Sequence, residues 1–243
     1  MIRAVFTLIA LLTVPLGAEA ACRQALALGL DVSGSVDARE YRQQIDGLAQ
    51  ALTDQRVQAA LLALPGHAVD LLVYEWSGPG DQAVILPWTT IANAETLEGV
   101  TFQLRSTTRR VTTPGTALGT AMQLGAQLLA ARSGCAKHTL DISGDGISNF
   151  GPRPRDIGES LEASGVTINA LVIGADNPAS GDSRQAEIGS LSSYFRAEVI
   201  LGPDSFVQTA LGFDDYARAM AEKLLRELDG LVFSELVLPA HAD

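Results

Sequence analysis

Apolar and polar positions fall into two rhythms along this chain, and the rhythms take turns. Residues 25–32 form an apolar run broken near its end by Asp31, the pattern of a strand buried on both faces. Residues 37–54 switch to a helical period, with Tyr41, Ile45, Leu48 and Leu52 on one face. Asp37 and Glu40 stand at its start in the spacing of an N-terminal capping pair. Residues 69–76 read as a second strand. The tight turn SGPGD then returns the chain into residues 83–86, so this third strand is expected to run antiparallel to the second, with Pro87 marking a sheet edge. Helices over 93–104 and 116–132, a strand at 138–143, a helix at 156–164 and a β-branched strand at 167–173 continue the alternation. The polar stretch 174–193 reads as a long loop, with or without a short helix, and 197–201 as a weaker strand. An amphipathic helix at 213–228 carries Tyr216, Met220, Leu224 and Leu228 on one side. Strands alternating with helices imply crossover connections. The expected fold class is therefore α/β: a doubly wound, mostly parallel central sheet with one antiparallel edge strand, in a three-layer sandwich.

Composition bears on location and partner. A chain of 243 residues, 47% hydrophobic, can bury a full core as one domain, and no internal repeat divides it. A net charge of -11 argues against nucleic acid, whose phosphates need a basic footprint. The first twenty residues, MIRAVFTLIALLTVPLGAEA, have the layout of a secretory signal peptide: Arg3, an apolar run over 4–16, then Ala18-Glu19-Ala20, with cleavage expected after Ala20. The run is too short to span a bilayer, and Pro15 and Gly17 break its end. Cys22 would suit a lipoprotein, but Glu19 stands where a lipobox wants an apolar residue. No later segment reads as a membrane span. The expected organisation is a signal peptide at 1–20, one domain at 21–230 and a tail at 231–243, exported to the periplasm or beyond.

In an oxidising compartment the pair Cys22 and Cys135 is a disulfide candidate. Each precedes an apolar strand ending in Asp-x-Ser-Gly, so the two fall at one end of the sheet if those strands are parallel neighbours. A bridge there would contribute roughly 4 kcal/mol in the chain-entropy model.

The chemistry sits where strands stop. In an open parallel sheet ligands bind beyond the carboxyl ends of the strands, and DVSGS places Asp31, Ser33 and Ser35 at such an end. A turn would set both hydroxyls on the side of the carboxylate, and hard oxygen ligands of low total charge suit Mg²⁺. Two further segments supply hydroxyls and a carboxylate: the threonine-rich VTTPGTALGTAM opening a helix, and LDISGDGISN, which ends another strand with Asp145.

Together these segments resemble a von Willebrand factor type A domain with its metal-ion-dependent adhesion site. Asp31, Ser33 and Ser35 match Asp-x-Ser-x-Ser; Thr116 in GTALG matches the threonine, and Asp145 in GDG the last aspartate. Thr112 and Thr113 before Pro114 are alternatives to Thr116, whose spacing to Gly119 favours it. The resemblance covers the chain from residue 21 on, and Cys22, YEWSG, PWTTI and FDDYARAM look like an exported bacterial type A-like family with no assigned function. It implies that Ser33, Ser35 and, with ligand bound, Thr116 touch the ion, while Asp31 and Asp145 act through water. The ion is then only partly neutralised, and an acidic residue of a protein partner completes its shell. The implied cofactor is a divalent cation, Mg²⁺ foremost, in a binding module that turns over no substrate.

Two other readings compete. A metal-dependent hydrolase would activate water at the ion, but the sequence places no general base beside it. His67 follows a loop, His138 opens a strand and His241 lies in the tail. Ser143 is in DISGDG, not in Gly-x-Ser-x-Gly, and a phosphotransferase would want a second aspartate at Ser33. The last alternative is a structural domain that uses its metal site little. The basic run RSTTRR at 105–110 would lie beside the metal and favour acidic ligands. The 174–193 segment is expected to share the metal's face and to shape partner choice. Trp76 and Trp88 read as packing residues of the edge hairpin.

Overall fold

A strand apolar along its length must be covered on both faces, and such a strand occupies the centre here. The computed structural model describes residues 21–174 and 181–229. The expected signal peptide and the tail at 231–243 lie outside them. In the sheet β1 (Ala21–Asp31) lies parallel between β2 (His67–Trp76) and β4 (Lys137–Gly144). Beyond β4 come β5 (Thr167–Ile173) and β6 (Val207–Ala210), both parallel. On the other side β3 (Gln82–Ile91) closes the order β3-β2-β1-β4-β5-β6 as the antiparallel edge. The pairing of β2 with β3 shifts register on either side of Val73, next to Pro87, a residue that only an edge or a bulge tolerates.

Seven α-helices cover the sheet among the described residues. On one face α1 (Ala38–Thr53), α2 (Gln55–Leu61), α3 (Ala94–Ser106) and α7 (Tyr216–Asp229) bury Leu26, Leu28 and Leu30 of β1. On the other, α4 (Leu118–Ala130), α5 (Pro154–Leu161) and α6 (Gly181–Glu198) pack on Ala25 and Ala27. The expected capping pair starts α1. The Asp37 carboxylate accepts from the backbone N–H groups of Arg39 and Glu40 at 2.7 and 2.8 Å, and Glu40 accepts from the Asp37 N–H at 2.7 Å.

The strand expected at 197–201 does not form, and the loop expected at 174–193 is in large part helix. α6 runs to Glu198, Leu201 makes only an isolated antiparallel bridge to Ile168, and the sixth strand comes later, at β6. Buried Ile188, Ser192, Phe195 and Val199 recur at helical spacing. Ser192 fills a core position, and Gly189, Ser190 and Ser193 give the segment a loop's composition.

Two anchors tie helices and strands together. Cys22 and Cys135 are bridged, with their Cα atoms 4.5 Å apart, at the amino end of β1 and beside the start of β4. Under α7 lies a buried ionic group. Lys223 Nζ stands 2.7 Å from Asp141 Oδ2 and 2.6 Å from Glu227 Oε1, and Asn169 Nδ2 donates to Glu227 at 2.8 Å. Burial, together with the Glu227 charge and against the pull of Lys223, pushes the Asp141 carboxyl up to about 7.

Candidate functional site

β1 and β4 end side by side, with Leu30 opposite Ser143, so the residues that follow each strand converge. Asp31 is held from below and within its own turn. Gln44 Nε2 of α1 donates to the Asp31 carbonyl at 2.9 Å, and the Ser33 N–H donates to Asp31 Oδ1 at 2.8 Å. The Ser33 and Ser35 hydroxyl oxygens lie 3.2 Å apart, and Ser35 Oγ donates to Asp145 Oδ1 at 2.7 Å. Two carboxylates and two hydroxyls thus form one continuous chain. It runs from buried Asp31 and Ser33 to exposed Ser35.

The sequence leads one to expect Asp31 at a solvent cleft, and the structure buries it completely. Gly144 explains the closeness. A Cβ there would lie 3.2 Å from Phe195 Cζ and 3.4 Å from Asp31 Oδ2, so glycine leaves room where α6 and the first turn come close. Burial first, then the Asp145 charge, pushes the Asp31 carboxyl up to about 8; burial also raises Asp145, against the hydrogen bond from Ser35. Asp31 Oδ2 is buried with no hydrogen-bond partner. An orphaned carboxylate oxygen beside a second carboxylate and two hydroxyls is a donor set that fits a hard divalent cation.

The threonine loop packs on this turn. The Gly34 N–H donates to the Pro114 carbonyl at 3.2 Å, and Thr112 Oγ1 donates to the Val32 carbonyl at 3.2 Å. The Thr113 hydroxyl donates to Asp81 Oδ2, which also accepts from the Thr113 N–H at 3.0 Å. Thr116 is held by its backbone. Its N–H donates to Asn149 Oδ1 at 2.8 Å, and its carbonyl accepts from the Asn149 N–H at 2.9 Å and the Phe150 N–H at 3.3 Å. Sequence reasoning gave no role to Asn149, although its place four residues after Asp145 in the glycine-containing turn could have suggested one.

Of the basic run, Arg109 reaches the site, its Nη2 donating to the Ser33 carbonyl at 3.4 Å. Arg110 turns toward buried Glu75 at 3.5 Å, and Glu75 also accepts from the Tyr41 hydroxyl. A cavity of about 440 Å³ opens beside Asp145 and Ile147 against α6. A separate cluster of ligand-type atoms, Cys22, Asp70 and Cys135, offers no thiolate because the sulfurs are bonded to each other. Asp70 meanwhile pairs with Arg132 at 3.3 Å and Thr90 at 2.7 Å.

A mostly parallel sheet with one antiparallel edge and helices on both faces is a von Willebrand factor type A-like fold, and the D-x-S-x-S turn closes its first strand. Solved structures agree on the fold. The von Willebrand factor type A protein from Catenulispora acidiphila is 13% identical over 84% of this chain and 42% of that one, with a TM-score of 0.51. Proximal thread matrix protein 1 from the mussel byssus, with a zinc-occupied MIDAS motif, is 18% identical over 87% and 49%, with a TM-score of 0.56. The pilus adhesin SpaC from Lactobacillus rhamnosus GG is 16% identical over 86% and 30%, with a TM-score of 0.57. The chain spans half or less of the length of each. It belongs to the family described as protein of unknown function DUF1194, whose model matches residues 21–232. No curated protein matches it.

Proposed function

We propose that this chain is an exported protein-binding module that holds a divalent cation through Asp31, Ser33, Ser35, Thr116 and Asp145, and that an acidic residue of its partner completes the ion's shell. The observation that carries this reading is the convergence of Asp31, Ser33, Ser35 and Asp145 into one hydrogen-bonded chain around a carboxylate oxygen with no partner of its own. When bound, the cation supplies a positive centre that prefers anionic oxygen. The chain's own residues do the rest. Asp31 and Asp145 supply charge, Ser33 and Ser35 supply neutral oxygens, and Thr116 presents its hydroxyl from a loop fixed by Asn149. Thr112 and Thr113 direct their hydroxyls to Val32 and Asp81, which favours Thr116 among the three.

A binding role is also favoured over hydrolysis by where the histidines stand. His67 opens β2 and His138 lies at the start of β4, at the amino ends of the strands, while the site is at the carboxyl ends. His241 is outside the described residues. Adhesion and matrix proteins among the similar folds support the same role, and the zinc of the mussel protein makes zinc a second ion to test beside Mg²⁺. No helix among the described residues is long and apolar enough to cross a membrane, in keeping with an exported domain.

The test is calorimetric titration of the chelated protein with Mg²⁺, Mn²⁺, Ca²⁺ and Zn²⁺, followed by capture of cell-envelope proteins with and without chelator. Chelator is expected to release the partner. Thr116→Ala is expected to weaken capture while the melting temperature holds, because the backbone bonds of Thr116 remain. Equal capture in all conditions would place the working surface elsewhere.

A further inference from the structure

Six large apolar side chains are exposed among the described residues, and four of them gather at one end of the molecule. Ile147 and Phe150 follow β4, Leu211 follows β6, and Val111 lies on the loop that Thr112 ties to Val32. All four therefore stand at the carboxyl end of the sheet, where the metal-site residues are. Val111 is 99% exposed, Ile147 59% and Phe150 57%. Phe150 is nonetheless held in place: a Cβ on Gly115 would lie 2.7 Å from its ring, and its N–H donates to the Thr116 carbonyl. The cavity beside Ile147 adds apolar wall from Ile188 and Leu191. Large apolar side chains clustered in water on otherwise polar loops mark an interaction surface. The charge around them has a sign as well. On a chain of net charge -11, Arg109 reaches the Ser33 carbonyl, and Arg110 of the same loop is 42% exposed.

We infer that the partner is a protein segment in which the metal-binding acidic residue is flanked, within one or two positions, by bulky apolar side chains. The inference rests on the metal-completed binding proposed above and adds what selects the partner. A cation accepts any carboxylate, so the ion alone discriminates little. Selectivity comes from neighbours that pack, and rigid aromatic anchors beside a charged contact supply it. Here Phe150 packs against Gly115 of the threonine loop, Val111 is exposed on that loop, and Ile147 lines a cavity together with Asp145. The Arg109 guanidinium repels a basic flank and tolerates an acidic or apolar one. The occupant is therefore an acidic-apolar segment of another protein, and a second copy of this chain is an outcome that the experiment separates.

The experiment uses the full chain and labelled twelve-residue peptides in a Gly/Ser/Asn background, each with one central Asp. One set carries Leu or Phe at the flanking positions, and the other carries Ser. Affinity is read by fluorescence anisotropy in Mg²⁺ and in chelator, for the wild type and for Val111→Ser, Ile147→Ser and Phe150→Ser. Apolar-flanked peptides are expected to bind about ten-fold tighter than Ser-flanked ones, only with the metal present. The serine variants should lose most of that preference with unchanged Mg²⁺ affinity by calorimetry. Val111→Ser and Ile147→Ser guard against a folding defect in Phe150→Ser, because both side chains face water. Equal, chelator-sensitive binding of both peptide sets overturns this inference and leaves the metal reading standing. A preference that survives chelator overturns both. Binding of neither set at millimolar concentration, or a dimer in sedimentation that the serine variants dissociate, overturns the inference too, the dimer by assigning the face to a second copy.

Discussion

Asp31 places a charge where the chain can least hydrate it. The side chain is fully buried, Asp145 stands on the same hydrogen-bonded chain, and one carboxylate oxygen has no partner. Without a cation this arrangement costs stability near neutral pH, because the folded carboxyl must either stay charged without water or hold a proton that the unfolded chain releases. Asp31→Asn keeps an oxygen for the Ser33 N–H and removes the charge. We therefore expect it to abolish divalent-ion binding in calorimetry and to raise the stability of the chelated protein by about 1 kcal/mol in urea unfolding. Unchanged ion affinity in the folded variant would remove Asp31 from the site. The candidate residues were legible in the sequence because three separate segments offer carboxylates or hydroxyls at a strand end or a helix start, more than the capping of one turn uses. The burial of Asp31 was not, because Phe195, which with Asp31 crowds Gly144, comes from a segment whose serines and glycine hide a helix. Asn149 was missed for a related reason: it acts on a backbone N–H, and no side-chain pattern announces that.

The elements that could be read were those with an unbroken period. β1, β2, β4, β5, α1 and α7 stand where their apolar positions predict, whereas the end of α6 was taken for a strand and β6 went unseen. β6 is four residues long, too short to show a period. The ionic group beneath α7 was hidden differently. Lys223 and Glu227 are one turn apart on a helix, a spacing that usually means a solvated pair, yet both are buried against Asp141. Lys223 contacts both carboxylates, whereas Lys137 donates to the Glu227 backbone carbonyl at 3.2 Å, so the loss of Lys223 leaves two buried carboxylates without a cation paired to them. Lys223→Met should destabilise the protein by about 3–5 kcal/mol at pH 8, measured by urea unfolding. A loss below about 1 kcal/mol would mean that water reaches the pair. At the amino end of β1 the bridge spans 113 residues and fixes β1 against the turn before β4. Reduction, or Cys22→Ser with Cys135→Ser, is expected to cost about 4–5 kcal/mol. Intact mass of the unreduced protein should show no alkylatable thiol.

For the molecule as a whole, stability against pH is set by which carboxyls are pushed up and which down. Partly exposed Asp54, lowered to about 2 by hydrogen bonds from Arg56, favours the folded state above the ordinary carboxylate pKa, and its contribution is complete by about pH 5. Asp141 acts in the opposite sense. The unfolded chain releases this proton near 3.8, while the folded chain holds it up to about 7, because burial and the Glu227 charge disfavour the anion more than Lys223 favours it. Between those values the folded state binds more protons than the unfolded one, so stability falls as pH rises through the window and the loss is complete above it. The contribution of Asp141 from pH 5 to pH 8 is therefore downward. Asp31 shifts in the same direction in chelated protein, so the Asp141 contribution must be isolated by difference. Asp141→Asn removes the titration and leaves Lys223 paired with Glu227. Urea unfolding in chelator at pH 5 and pH 8 should show the wild type losing on the order of 1–3 kcal/mol more than Asp141→Asn across that interval. Parallel losses in the two proteins would mean that Lys223 keeps Asp141 ionised throughout, and that the buried group contributes no pH dependence of its own.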